Sequence, residues 1–307
     1  MLLQSPLALA FRFRATLSVS LPSGSDRKKS ESAVAAVGGG VRSRQRGRHL
    51  LAVIALLATG SCGVPGPQPV VSTGGVVEVA PAGPDADALG RLPVADTFAT
   101  APNAPLDTEV RSTKGIVLHP LRELPAFDTP GGRPVARIPV TQIGSPTWLP
   151  VVTRHGKWAK VLLPSRPNGA AGWVFLGSSS DAAVARSAFE VHVETGSFQL
   201  SVTEHGREIG RWTVGIGKPT TPTPKGRTFI LASIQDARQT FSPLILPLGA
   251  HSDSYTTFGG GPGTVALHGW PDPSPYGKPS SDGCIRVPGD ALSLLSALPL
   301  GTLVLIR

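Results

Sequence analysis

The thiol of Cys284 and the imidazole of His268 are the pair in this 307-residue chain whose types and spacing suit covalent catalysis. Cys284 stands in Ser280-Ser-Asp-Gly-Cys-Ile-Arg-Val287, sixteen residues after His268. The thiolate is the nucleophile, so a His close enough to accept the thiol proton would activate it. Gly283 permits a turn in which backbone N–H groups gather beside the sulfur, which acyl transfer needs to hold a developing oxyanion. Each residue alone has a plainer reading: Cys284 as a small buried hydrophobe, His268 as a hydrogen-bonded core residue. The other Cys is Cys62, and a bridge between the two is not to be assumed. His119, His155, His192, His205 and His251 have no ligand spacing such as H-E-x-x-H, so no metal site is expected. His251 is expected in a surface turn. Gly259-Gly-Gly261 lacks the Lys-Ser/Thr of a phosphate loop, and no cofactor is expected.

Strands and turns must position these groups. With 36 Gly, 31 Pro and only 16% charged residues, the chain favours short strands over long helices. Strand-length apolar runs occur at 116–118, 136–138, 148–152, 158–162 and 172–175, broken by turn signals at 129–132, 155–156 and 166–169. A hairpin is expected from 198–202 and 209–214 around His205-Gly206, and further strands from 227–231 and 302–306. Pro219-Thr-Thr-Pro-Thr-Pro224 reads as a rigid loop. Ala291, Leu292, Leu294, Leu295 and Leu298 repeat at helical spacing, with Asp290 as the expected N-cap.

Several motifs fall in one order: Gly215-Ile-Gly217, Thr221-Pro-Thr-Pro-Lys-Gly226, Phe258-Gly-Gly-Gly, Ala266-Leu-His-Gly269, Gly277 and Ser281-Asp-Gly-Cys-Ile-Arg286. Over about 120 residues this stretch resembles the L,D-transpeptidase (YkuD-type) catalytic domain. The segment 108–180, with Gly156-Lys-Trp158 and Arg166-Pro-Asn-Gly…Gly172-Trp173, resembles a bacterial SH3-like domain. Two readings of that segment stand side by side, a wall-binding module and a packing spacer with its Trp residues in the core. The expected fold is mainly β: a small SH3-like β-barrel followed by an L,D-transpeptidase-type β-sandwich with one or two short helices.

The resemblance implies Cys284 as nucleophile and His268 as general base. It implies an oxyanion hole from the N–H groups of Asp282, Gly283 and Cys284, with Ser281 bracing the loop. Arg286, Trp270, Gly269 and Phe258 are the implied substrate-binding residues. The implied reaction is thioester formation on a peptidoglycan tetrapeptide stem with loss of D-Ala, then attack by an amine of a second stem to give a 3→3 cross-link. Carbapenem-type inhibitors would acylate Cys284. Trp270 stands where the family commonly has Thr or Ser, and Asp282 where it often has His. An Asp beside a thiolate raises the thiol pKa, and Lys278 and Arg286 are the cations expected to offset it. Hydrolysis at the same site would make an L,D-carboxypeptidase, and loss of activity a wall-binding lipoprotein. NlpC/P60 peptidases place Cys before His along the chain, the reverse of the order here.

The formal net charge of +9 is concentrated at one end. Residues 1–50 hold nine of the 29 basic and two of the 20 acidic residues, leaving 20 against 18 in the other 257. A folded nucleic-acid binder would carry its basicity on the domain, so none is expected. An apolar run at 50–58 follows Arg42, Arg44, Arg46 and Arg48, and is too short to span a bilayer. With Thr59, Gly60 and Ser61 leading to Cys62, it resembles a bacterial lipoprotein signal. A plain secretory signal and a retained anchor are the alternatives, and all three export the protein to the outer face of the membrane or the wall. Residues 1–40 have three readings: an untranslated stretch before a start at Val41, a disordered Ser- and Arg-rich extension, and an organellar transit peptide. The expected organisation is therefore a leader over 1–62, a linker over 63–107, an SH3-like domain over 108–180 and a catalytic domain over 181–307. The linker, with eight Pro and six Gly in 45 positions, is expected to be a tether.

Overall fold

The computed structural model describes residues 80–235, 240–258 and 261–307. The leader, Cys62 and the first part of the expected linker lie outside the described residues, as do Gly259 and Gly260. The described chain is mainly β with two short helices, Ala86–Gly90 and Gly289–Ser296.

A seven-stranded sheet takes the strands in the order Pro134–Ile138, Leu124–Phe127, Ala171–Phe175, Trp158–Leu162, Leu149–His155, Ile116–Pro120 and Ala182–Arg186. The last strand pairs antiparallel with Ile116–Pro120, so this sheet runs past residue 180, where the catalytic segment was expected to begin. Trp158 is buried at its centre, edge-on to Phe127 at 5.3 Å and tilted on Phe175 at 5.1 Å.

A five-stranded sheet follows, in the order Arg207–Thr213, Gln199–Glu204, Phe189–Glu194, Leu303–Ile306 and Gly226–Phe229. The expected hairpin is present, turning through His205 at φ 50° and Gly206 at φ 77°. A three-stranded sheet of Ile245–His251, Thr264–His268 and Ile285–Arg286 carries the two catalytic candidates.

Strand Leu303–Ile306 shows how the sheets share their interior. Side chains on a strand alternate between faces. Val304 and Ile306 enter one apolar core with Leu267, Ile285 and helix residues Leu292 and Leu295. Leu303 and Leu305 enter the other, among Leu118, Leu149 and Val161 of the seven-stranded sheet. Phe229 and Leu231 join this second core, while Ile230 between them joins the first. Each such side chain contributes about 1.5–3 kcal/mol on burial. The five-stranded sheet is therefore covered on both faces, and one cover comes from residues before 181.

The expectation of a tether over 63–107 is corrected for its described part. Residues 93–107 run along the seven-stranded sheet in hydrogen-bonded contact. Ala95 N donates to Arg137 O at 2.7 Å, Ala101 N to Arg166 O at 2.8 Å, and Asp107 N to Gly169 O at 2.7 Å. Ala95, Ala101 and Ala104 are small enough to sit in the core. Backbone hydrogen bonds, more than apolar area, offset the ordering entropy. Asp107 is also held by Arg227, whose Nε donates to Oδ2 at 2.6 Å while Nη2 bonds Oδ1. Both side chains are buried, and breaking such a pair costs about 3–5 kcal/mol.

The second helix differs from expectation at its start. Pro288 occupies the N-cap position without a side-chain cap, and Asp290 lies in the first turn. Its carboxylate instead accepts from Trp212 Nε1 at 2.7 Å, which pins the helix to the edge of the five-stranded sheet.

Candidate active site

Strand register brings Cys284 and His268 together. Thr264–His268 and Ile285–Arg286 run parallel, with Leu267 opposite Ile285 and His268 opposite Arg286. Leu267 and Ile285 are both fully buried in the core below. Alternation therefore directs Ala266, His268, Cys284 and Arg286 to the opposite face. There His268, Cys284 and Arg286 line a cavity of about 230 Å³.

The imidazole is held in the tautomer a base needs. His268 Nδ1 lies 2.7 Å from the carbonyl of Gly269, which can only accept, so Nδ1 carries the proton and Nε2 presents a lone pair. Gly269 is fixed in turn, its N–H donating to Ser242 Oγ at 2.8 Å while Ser242 Oγ donates to Leu244 O. Phe241 packs edge-on to the imidazole at 5.2 Å. Burial pushes the His268 pKa below its ordinary 6.5; the Gly269 hydrogen bond opposes this and the charge of Arg286 adds to it. His268 is a neutral acceptor at pH 7.

The nucleophile loop is braced from two sides. Ser281 Oγ donates to Cys284 O at 2.5 Å and accepts from Gly283 N at 3.2 Å. From the Pro-rich loop, Thr223 Oγ1 donates to Gly283 O at 2.9 Å and Thr221 Oγ1 to Ser281 O at 3.2 Å. Thr223 Oγ1 also accepts from Gly217 N at 2.9 Å. Gly283 has φ 116°, a conformation that costs a side-chain-bearing residue. The Gly283 N–H, one of the three donors expected for an oxyanion, is directed instead to Ser281 Oγ.

Asp282 does not act on the sulfur as a free charge. Its Oδ1 lies 2.7 Å from Lys218 Nζ, the cation that the sequence reading did not pick. Burial pushes the Cys284 thiol above its ordinary 9.0; a backbone hydrogen bond from Ala266 and the charge of Arg286 pull it down, and Asp282 pushes it up. The thiol is protonated at pH 7, so its proton must pass to a base as it attacks.

Arg286 bridges the loop and the cleft. Its guanidinium stacks on the Trp270 ring at 3.7 Å and Nη1 donates to Ser280 O at 3.2 Å. Its Nε is buried without a partner. Trp270 is thereby a platform for Arg286. Phe258 is 55% exposed on the cleft wall, beside Tyr255 at 6.2 Å. His251 corrects the expectation of a surface turn: it is fully buried, with Nε2 2.8 Å from Thr97 O. Among the described residues no group of three or more His, Cys, Asp or Glu could hold a metal, and no helix is long and apolar enough to cross a membrane.

Comparison with known proteins finds relatives of the segment that carries this site. Residues 188–306 match the family model of the L,D-transpeptidase catalytic domain, YkuD. The matched residues include Cys284 and His268 and begin after the last strand of the seven-stranded sheet. YkuD of Bacillus subtilis (strain 168), a protein known by an L,D-transpeptidase name, is 29% identical over 120 residues, covering 39% of this chain and 66% of that relative. The family match and the relative support an L,D-transpeptidase-type catalytic domain over this segment. Among solved structures, an L,D-transpeptidase from Mycobacterium smegmatis overlaps at TM-score 0.35 and 16% identity, covering 52% of this chain and 82% of that one. The catalytic domain of the E. faecium L,D-transpeptidase overlaps at TM-score 0.30 and 23% identity, covering 38% of this chain and 95% of that one.

Within the matched segment, the structure gathers Cys284, His268, Asp282, Ser281, Arg286, Trp270 and Phe258 around one cleft. Gly269 differs from its expected part: its carbonyl and N–H orient the base and do not line the cleft. Lys218, Phe241, Ser242, Thr221 and Thr223 were not assigned from sequence. Only the two Thr carried a signal, as the hydroxyls spaced two apart in a loop stiffened by Pro.

Proposed function

We propose that the chain is an exported peptidoglycan L,D-transpeptidase working through a cysteine thioester. The observation that carries this reading is the pairing of Cys284 with His268 on one strand face, with the His tautomer already set for proton acceptance. His268 Nε2 takes the thiol proton as Sγ attacks the carbonyl carbon of the third residue of a tetrapeptide stem. The carbonyl electrons move onto oxygen, where the N–H groups of Asp282 and Cys284 receive them. Collapse breaks the bond to D-Ala, whose nitrogen takes the proton from His268, and a thioester remains. An amine of a second stem then attacks this carbonyl, His268 accepts its proton, and Sγ leaves. The products are a 3→3 cross-linked dimer and the free enzyme.

The guanidinium of Arg286, which lines the cleft, is suited to a stem carboxylate, and Trp270 keeps it in place. Phe241, Tyr255, Phe258 and Trp270 give the cleft an apolar wall that favours an amine acceptor over water, and so transpeptidation over L,D-carboxypeptidation. Asp282, neutralised by Lys218, is no sign of lost activity. β-Lactams of the carbapenem class would acylate Cys284 by the same steps.

Export fits the basic and apolar leader over 1–62, with lipidation at Cys62 and residence at the outer face of the membrane or in the wall. Residues 108–180 are read as an SH3-like segment acting as a packing partner, with Trp158 in its core. The test is mass spectrometry of the full chain with a carbapenem. One adduct, mapping to Cys284 and absent from Cys284→Ala, is expected; a chain without an adduct contradicts the reading.

A further inference from the structure

Tyr255 and Phe258 form part of the cleft wall, yet they are 38% and 55% exposed. Apolar burial therefore does little to fix them, and something else must. The answer lies outside the transpeptidase-type segment, on the turn at residues 166–169. Arg166 Nη1 donates to Ser252 O at 3.1 Å, and Nη2 donates to Tyr255 O at 2.9 Å and to Pro262 O at 3.2 Å. One guanidinium thus gathers three carbonyls from both ends of the wall segment. No carboxylate competes for it among the described residues.

Asn168 holds the same segment at its root. Its Nδ2 donates to His251 O at 2.8 Å and to Asp253 Oδ1 at 3.0 Å, and its Oδ1 accepts from His251 N at 2.8 Å. The turn itself is tied to the preceding stretch, Arg166 N donating to Ala99 O and Ala101 N to Arg166 O. Gly263 leaves room for the arrangement: at φ +72°, a Cβ there would sit 2.4 Å from Tyr255 O and 3.1 Å from Arg166 Nη2. A weaker tether exists on the other side, where Ser254 Oγ donates to Thr220 O at 3.0 Å.

We propose that Arg166 and Asn168 are positioning residues for the substrate cleft, so that the part of the chain before the transpeptidase-type domain completes its active site by holding the wall that bears Tyr255 and Phe258. Hydrogen bonds from a charged donor are the strong kind. The imidazole, on Thr264–His268, and the thiol, directly before Ile285–Arg286, receive no hydrogen bond from the guanidinium, so their intrinsic reactivity is independent of it. The proposal rests on the reading of this cleft as a peptide-stem site.

The test uses the full chain and two readouts. With disaccharide-tetrapeptide as donor, Arg166→Ala is expected to raise KM about tenfold with a smaller change in kcat, given that a wall shift acts mainly on substrate placement. Iodoacetamide, which needs no wall, should alkylate Cys284 in Arg166→Ala at the wild-type rate and with the wild-type pH profile. Arg166→Lys keeps one hydrogen bond and should lie between, and it serves as the test if Arg166→Ala does not fold. Phe258→Ala should cost less in the Arg166→Ala background than in wild type, because contacting elements couple. An unchanged KM, or parallel loss of turnover and alkylation, overturns the proposal. A wild-type enzyme whose Cys284 alkylates but which never turns over the stem overturns the underlying reading instead.

Discussion

Lys218 Nζ stands 2.7 Å from Asp282 Oδ1, two residues before the nucleophile. The pair lets an acidic side chain occupy the nucleophile loop without a free negative charge beside the sulfur. Asp282 acts directly on the Cys284 thiol, raising its pKa, whereas Lys218 is not among the groups that do so. Removing Lys218 should therefore work only through Asp282.

Lys218→Ala is expected to slow alkylation of Cys284 at pH 7.5 by roughly threefold, the effect of about half a pKa unit. Asp282→Asn should speed it, and in that background Lys218→Ala should be silent. Rates with iodoacetamide for the four proteins check this. A Lys218→Ala rate equal to wild type would show that the contact leaves the thiol untouched.

The two catalytic pKa shifts point in opposite directions and predict a pH signature. Burial holds His268 below 6.5 and Cys284 above 9.0, so between those values both groups are neutral. Acylation by substrate then has its acid limb below pH 6.5, where protonation removes the base. Alkylation by iodoacetamide reads the thiolate alone and should keep rising through pH 9. A plateau of the alkylation rate at neutral pH would reveal a preformed thiolate–imidazolium pair and contradict the assignment.

Thr223 is the brace most easily isolated. Thr223→Val keeps the shape but leaves Gly283 O without a donor and Gly217 N without an acceptor. The expected loss is about 2 kcal/mol of stability, from unsatisfied buried groups. Activity should fall further than the unfolded fraction explains, since Gly283 precedes the nucleophile. Denaturant titration and kcat measured on the folded protein separate the two.

What was legible in the sequence depended on distance along the chain. His268 and Cys284 could be read from their residue types and from the motifs Ala266-Leu-His-Gly269 and Ser281-Asp-Gly-Cys-Ile-Arg286, and strand register brings them together. The hairpin around His205-Gly206 was written in its turn residues. Lys218 lies 64 positions from Asp282, Ser242 lies 27 from Gly269, and no local period links either pair. The stretch 93–107 resembles a tether because its content of Pro and Ala offers little apolar area. Its order comes from backbone hydrogen bonds to residues 137, 166 and 169–171, which composition does not encode. Asp290 looked like a cap because Asp favours that position, but Trp212 claims its carboxylate.

The measurement that bears most directly on the central claim is the mass of the products formed from disaccharide-tetrapeptide by the full chain, beside Cys284→Ala and His268→Ala. The account predicts a dimer that lacks one D-Ala, linked between third residues, and formed by neither variant. A D-Ala-free monomer as the sole wild-type product would replace transpeptidation with hydrolysis, and dimer formation by Cys284→Ala would contradict the thioester mechanism itself.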